Sequence, residues 1–582
     1  MIITRIALPL LLLSGSFVFS GCKTTSHQPS QAQNSTLKME LVARHVSGHY
    51  GEGAAEIVAY DAPHQKLYVV NGAVNAIDII DISNIPTQPL SLPFSGTNLT
   101  SERLTLPKSV TTTEQPDLPL GSPSSLSIHN NLMAVATANK DKQQLGAVLF
   151  YRLSRSKPEF IKAVTVGALP DMITFTHGGH KVIVANEGEP SKDYRHDPEG
   201  SVSIINIQPE IAGSAKHLNF KQFNEVREQL ASTGVKFASP QGTSVAQDLE
   251  PEYITVAGDD SRAYVTLQEN NAIAIIDLTT DSILNVYGLG FKDWGQYKID
   301  VSNKDGVNAA TYENVYGIYQ PDAIVSYDVN GKTYILSANE GDAREYIYDA
   351  SEADCNAAGH QYDGEDGCIS YTEEYRAKKL PIKSPSAIDS YYHKNGIGRL
   401  KVTSELGDDD GDGLYEKLYS YGARSFSIWD EDVQQVYDSG DDFEQLLIER
   451  YGENFNSNEN ENKGDSRSDD KGAEPEAITT GIINGKTYAF IGLERHGGIM
   501  VYDISNPTSP TFETYVNNRD FSKDFEIDDD SNPVTLKGAY QQVGDLAPEG
   551  LAFIAAEDSP TGKALLAVAN EVSGSVSIYQ LH

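Results

Sequence analysis

The sequence predicts an all-β protein, a seven-bladed β-propeller with inserted loops and short helices, and three observations carry that expectation. One unit recurs along the chain: from Leu169 it reads "LPDMITF", a turn, "KVIVANE", a gap and "GSVSIINI". Its runs are short, rich in Val, Ile and Tyr and largely alternating, the pattern of neighbouring antiparallel strands. "FIKAVTVGALPD" adds a fourth strand leading into the next unit, and Pro123 and Pro170 of consecutive copies lie 47 residues apart, a spacing suited to one propeller blade.

The copies follow in order. Two weaker ones span 54–82 and 122–153, the clearest starts at 169, and the others run over 250–278, 320–430, 474–504 and 547–581. Seven sheets stacked in an open row would leave unpaired edges, which a closed ring protects. "NGKTY" stands between the first two strands of two copies, at 330 and 484, where Asn-Gly supplies the positive dihedrals of a tight hairpin.

The remaining chain divides around this repeat. Residues 1–21 read as an export signal whose apolar stretch is too short to span a bilayer. Ser20-Gly21-Cys22 resembles the lipobox of bacterial lipoproteins, which predicts lipidation at Cys22 and anchoring in the cell envelope, at the outer membrane. Residues 22–40 are a polar tether, and 41–582 a single propeller with insertions at about 85–121, 208–249, 284–319, 342–422, 439–473 and 510–545. Within them, Phe220, Phe223, Val226 and Leu230 share one helical face ending at a glycine, and 453–472 is polar enough to predict a mobile loop. Cys355 and Cys368 predict a disulfide in an oxidising compartment.

Composition narrows the partners. With 45 Lys and Arg against 82 Asp and Glu the net charge is −37, which disfavours nucleic acid and favours divalent cations. The expected cofactor is calcium, with a second metal left unidentified. The membrane is reached through the lipid alone, the ligand is a small anion or a surface protein or glycan, and the chain is expected to be a monomer.

The repeat also places carboxylates. Five units begin with Pro and an acid, Asp171, Glu252, Asp322, Glu476 and Glu549, and the same five end their second strand with Glu187, Glu269, Glu340, Glu494 and Glu571. Units related by a ring axis bring equivalent positions together, so these ten are candidate metal ligands at the channel mouth. At an effective dielectric near 20, two such charges about 5 Å apart repel by roughly 3 kcal/mol, so cations, protons or basic groups must offset them. The structural alternative is that each accepts backbone hydrogen bonds and fixes blade to blade. The second unit breaks the pattern with Ser124 and Lys140, and the first with Ala55 and Gly72, Glu56 lying one place over.

Arg344 and Arg495 follow two of these acids, as Lys192 and Arg195 follow another. With Asp322 and Glu340 these two arginines form the candidate catalytic set, the cation polarising a phosphoryl group and arginine holding its oxygens. In "GDDDGDGLYEKLY", Asp408, Asp410, Asp412 and Glu416 fall at positions 1, 3, 5 and 9 of a calcium loop, but Tyr419 replaces the glutamate at position 12. The nucleophile elbow, HExxH and dinucleotide motifs do not occur.

The strings "GALPDMITF", "VIVANEGEPS", "SANEGDAREY", "GARSFSIWD", "FIGLERHGGIMVYDISNP" and "APEGLAF" together resemble the choice-of-anchor I domain family from about residue 40 onward. The resemblance implies a secreted or surface propeller related to YVTN-type repeats. Some similar proteins carry an alkaline phosphatase label, which implies a metal-dependent phosphoric ester hydrolase; others are described only as surface glycoproteins, which leaves open a non-catalytic recognition propeller with structural carboxylates.

Overall fold

The computed structural model describes residues 37–364 and 366–582, so the export signal and Cys22 lie outside the described residues. Its framework is all-β. Six four-stranded antiparallel sheets and one of five strands correspond to the seven sequence units. The first is Val58–Asp61, Lys66–Asn71, Ala76–Asp81 and Ser101–Thr105; the fifth is Ile324–Val329, Lys332–Asn339, Ser425–Asp430 and Gln435–Asp438. The seventh takes three strands from the C-terminus, Pro548–Ile554, Leu565–Asn570 and Ser575–Leu581, and its outer strand, Met39–Val46, from the N-terminus. The expected tether therefore ends before Met39.

Packing explains why the middle strands read as continuous apolar runs. Along Leu565–Asn570, Leu565, Ala567 and Ala569 pack on the first sheet, whereas Leu566 and Val568 pack on the sixth. A strand alternates its side chains between two faces, and both faces here meet a neighbour. Such an apolar layer lies between every consecutive pair of sheets, and the layer between the seventh and the first includes Leu67, Val69, Ile80 and Ile578.

The outer strands correct the expected insertions. Ser101–Thr105, Lys216–Asn219, Ser282–Gly288 and Thr511–Val516 are the fourth strands of sheets one, three, four and six, and all fall inside or across the segments 85–121, 208–249, 284–319 and 510–545. They face solvent on one side, so they lack the apolar signal that marks the inner strands. The helix expected at 215–234 becomes a short strand, a 3-10 turn Lys221–Val226 and one helical turn Arg227–Ala231; Phe220, Phe223 and Leu230 nevertheless enter the core between sheets three and four.

Two of the insertions combine. Phe291–Asp293 and Val315–Ile318 join Leu418–Ser420, Lys401–Thr403 and Glu374–Arg376 in one mixed sheet, whose single parallel pair runs Val315–Gly317 beside Leu418–Ser420. The segment 453–472 is not a free loop: Phe455, Asn456, Ser457, Glu459 and Lys471 are buried there. Cys355 and Cys368 form the expected disulfide.

Candidate functional site

In the third, sixth and seventh sheets a β-bulge sits at the acid near the start of the first strand. Pro170 faces Asn186 but the next pair is Ile173 with Val184; Pro475 with Leu493 is followed by Ile478 with Ile491. One residue too many sits on the first strand, and such a bulge re-aims a side chain. The residues before these prolines are left-handed without being glycine: Leu169 (φ 47), Gln320 (φ 41), Glu474 (φ 53) and Ala547 (φ 57). That conformation is costly and recurs where the surrounding structure fixes it.

The starts of the first strands converge on one cavity of about 120 Å³ lined from all seven sheets, through Ile57, Ser124, Asp171, Tyr253, Asp322, Glu476 and Glu549. Hydrogen bonds set the true equivalences. Glu252 N–H donates to Thr266 O and Thr266 N–H to Tyr253 O; Asp322, Ala338 and Ala323 repeat this, and so do Glu56, Val70 and Ile57. Glu56 is thus the first-ring acid of the first sheet, with Ala55 in place of proline, and not one place over. Its carboxylate fills the space at Gly72, where an added Cβ would lie 2.9 Å from Oε1.

Two second-ring positions also shift. Leu267 pairs with Ala272 as Asn339 pairs with Ser425, so Gln268, not Glu269, matches Glu340, and the two are joined by Gln268 Nε2 donating to Glu340 Oε2 at 2.7 Å. Thr137 pairs with Ala147 as Asn186 pairs with Ser201, which puts Ala138 rather than Lys140 in the second sheet's place.

The asparagine of the repeated "ANE" has a separate duty. Asn186 Nδ2 donates to Ser203 Oγ at 2.9 Å and Asn339 Nδ2 to Ser427 Oγ at 2.8 Å, while Asn570 Nδ2 reaches Ser575. These buried amides tie the second strand to the third, which accounts for the serines of "GSVSI" and "RSFSI". The glutamate beside each is left to the channel.

Charge is distributed unevenly around the cavity. On one side Lys471 Nζ lies 2.8 Å from Glu340 and 3.1 Å from Glu474, and Arg495 pairs with Glu474 and Glu494 at 3.0 Å. Burial raises the affinity of Glu474 for a proton, but Arg467, Arg495 and Lys471 override it and hold the carboxyl well below its ordinary range. Elsewhere the acids lack such partners. Burial, then Glu571 and Asp171, pushes Glu56 up to about 9, and burial with Glu269 pushes Asp171 up to about 6. Asp322, Glu476, Glu549 and Glu252 are raised well above the usual range by burial, then by Glu340, by Glu494, by Glu571 and by Glu269 in turn. Glu187 and Glu571 are raised as well, chiefly by burial, and so is Glu494 despite its pairing with Arg495.

A cation would fit this donor set. Oxygens of Asp322, Glu340 and Glu476 lie within 4.8 Å of one another. Glu252 is 8% exposed and its Oε2 has no hydrogen-bond partner, nor do Oε2 of Glu269, Glu476 and Glu549. Such buried, unpaired carboxylate oxygens are costly unless a proton or hard cation meets them. A second triad, Glu340, Glu474 and Glu494, is already served by Lys471 and Arg495.

The arginines are committed elsewhere. Arg344 is 2% exposed and holds Asp248 and Glu250, each at 2.9 Å, with Asp248 O and Ala238 O. It clamps the insertions rather than facing the cavity. Arg195 is exposed and pairs with Asp193 at 3.2 Å.

The expected calcium loop also holds a side-chain cation. Lys383 Nζ sits 2.6 Å from Asp410, 3.1 Å from Asp412 and 2.5 Å from Glu416, while Asp408 accepts from the backbone N–H groups of Gly411, Asp412 and Gly413. The ammonium stands where a metal would. Replacing it, Lys383→Met, should tighten calcium at this loop by about tenfold, since ligand charge sets affinity there. Calcium titration of the variant against the parent reads this out, and equal affinities would show that Lys383 does not compete.

The profile of the choice-of-anchor I domain matches residues 56–507. The chain belongs to the choice-of-anchor I family. Membership points to a cell-surface or secreted β-propeller, and among the described residues no helix is long and apolar enough to cross a membrane. Gigasin-3a of Magallana gigas is 30% identical over 207 residues, 33% of this chain and 68% of that protein. The mesenchyme-specific cell surface glycoprotein of Strongylocentrotus purpuratus is 25% identical over 341 residues, 54% of this chain, which spans only 43% of the relative. Among solved structures, hydrazine synthase of Kuenenia stuttgartiensis aligns at TM-score 0.43 and 10% identity, covering 92% of this chain and 99% of that one. The Cps50 (Swd1) β-propeller domain of Myceliophteria thermophila aligns at 0.36 and 8%, covering 93% and 100%.

Proposed function

We propose that this member of the family is an envelope-displayed propeller of seven blades, anchored through a lipid at Cys22, whose central cavity holds a divalent cation between Asp322, Glu340 and Glu476. The seven apolar layers, one between each pair of neighbouring sheets and one joining last to first, support the closed ring. The observation that carries the cation is the convergence of buried acids, of which Asp322 and Glu476 have no ion-pair partner among the described residues while Glu340 is shared with Lys471, several of them with an unpaired oxygen. Calcium suits all-oxygen ligands. With Arg344 and Arg495 bound to carboxylates, the cation's first role is to join blades across the channel and present a fixed charge at its mouth.

A second reading, hydrolysis of a small phosphorylated compound, rests on the cavity beside Asp322 and Glu476, which has room for a phosphoryl group. A bound divalent cation would supply Lewis-acid polarisation there. Metal analysis of the secreted full chain carrying Cys22→Ser should find about one divalent cation per chain, and Glu340→Gln should lower that content with the strand spectrum intact. Metal-free protein that is indifferent to chelator would sink the cation. Phosphomonoester turnover lost with chelator and with Glu340→Gln would favour the hydrolytic reading; no turnover in the metal-loaded protein would exclude it.

A further inference from the structure

Three longer loops line an open cleft of about 1100 Å³, together with the turn at Gln143 and Gln144 between two strands of the second sheet. One wall is the loop 193–198 that follows Glu187 in the third sheet. The second is the turn Pro240–Thr243 ahead of the short helix Val245–Asp248, and the third is the end of the helix Glu352–Ala358 with Gly359 and His360.

Each wall is fixed by bonds of its own. Tyr194 N–H donates to Ser191 O at 2.6 Å, and Gln247 Nε2 donates to Asp197 O at 3.0 Å, which joins the first wall to the second. The Cys355–Cys368 disulfide ties down the third, where Tyr348 Oη meets His360 Nδ1 at 3.0 Å. Tyr194 is held at φ 55 with its ring edge-on to Tyr346, centroids 5.0 Å apart. A bulky residue in the left-handed region is an outlier that persists only where the surroundings fix it. The cleft is therefore preformed.

Its chemistry differs from that of the acidic cavity. Gln144, Gln241, Thr243 and His196 line it with side chains that make no hydrogen bond to the rest of the described chain. Amide and hydroxyl groups both donate and accept, as neighbouring sugar hydroxyls do. Charge is nearly balanced: Asp193 is paired with Arg195, and Asp197 receives Gln247. Apolar side chains in the lining amount to Pro198, Pro240 and Ala358 beside the single ring of Tyr194, too little for the anchor pockets of peptide recognition.

We propose that this cleft binds a neutral oligosaccharide, with the side-chain amides of Gln144 and Gln241 bonding its hydroxyls and the disulfide holding the far wall in place. The site needs no cation.

Affinity electrophoresis of the secreted full chain carrying Cys22→Ser, in native gels containing laminarin, dextran, hydroxyethylcellulose or polygalacturonate, tests it. Retardation by at least one neutral polysaccharide, unchanged by chelator, is expected. The double variant Gln144→Ala, Gln241→Ala, both exposed and remote from the core, should weaken it about tenfold with an unchanged melting curve. Breaking the disulfide with Cys355→Ser, Cys368→Ser should weaken it too. No retardation in any neutral gel, retardation by polygalacturonate alone, or retardation unaffected by the double variant would each overturn the proposal.

Discussion

Replacing Arg44 with methionine should cost the protein about 3–5 kcal/mol, the usual penalty for stranding one member of a buried ion pair. Arg44 lies on Met39–Val46, the strand that completes the seventh sheet from the opposite end of the chain. It is 2% exposed, with Nε 2.7 Å from Asp545 Oδ1 and Nη2 donating to Gly544 O at 3.0 Å. Asp545 also accepts from Asn518 Nδ2 and Ser575 Oγ, both at 2.6 Å, and from Ser577 Oγ. Burial alone would raise its proton affinity, yet Arg44 and the two serines hold it below the ordinary value. Removing Arg44 leaves a buried carboxylate whose remaining partners cannot neutralise it.

Because this strand is, among the described residues, the N-terminal contribution to the seventh sheet, its loss opens the join between the two ends of the chain rather than a local surface. The expected readout is a urea midpoint shifted well below the parent's with the slope reduced, as the closing strand frays first. Asp545→Asn alone should cost less, since asparagine still bonds the serines and Arg44 keeps its bond to Gly544 O. The pair Arg44→Met, Asp545→Asn should fall short of the sum of the single losses. A single Arg44→Met loss below about 1 kcal/mol would mean the ion pair contributes no more than a surface pair does.

The repeat, the strands and the disulfide were legible because they are local patterns. Inner strands such as Lys181–Asn186 are buried on both faces and carry their signal in every residue. Outer strands such as Ser101–Thr105, with mainly exposed side chains, carry almost none, and the sequence reads them as insertions. The ring was legible in outline, but its register was not. Aligning the letters "LQE" with "ANE" puts Glu269 on the ring, whereas the pairing of Leu267 with Ala272 puts Gln268 there; a one-residue slip changes which side chain faces inward. The basic partners were hidden for another reason. Lys471 reaches Glu340 from 131 residues away, and Lys383 reaches Glu416 from outside the calcium-loop motif; no spacing rule connects such positions.

The second large effect concerns pH. Stripped of divalent cations, the protein should lose stability as pH rises from about 5 to 9. The sign follows from proton counts. In the unfolded chain the carboxyls of Asp171 and Glu56 titrate near 3.8 and 4.5, whereas in the fold they do so at about 6 and about 9. Between those values the folded protein holds protons that the unfolded chain has released, so the stabilising contribution is full below the unfolded values and disappears as pH passes the folded ones. Asp171 alone amounts to about 3 kcal/mol at 1.4 kcal/mol per unit, and the other raised acids act in the same direction. A cation competes with those protons. Added calcium should therefore do little at pH 5 and most at pH 8 to 9, where it restores what ionisation removed, and the rise in melting temperature between chelator and calcium should widen steadily with pH. Melting curves in a buffer series with and without chelator decide this. Metal-free stability that climbs between pH 6 and 9 would mean the ring acids are ionised and satisfied without a cation, and a calcium effect of constant size across the series would place the binding at groups that do not titrate in this range.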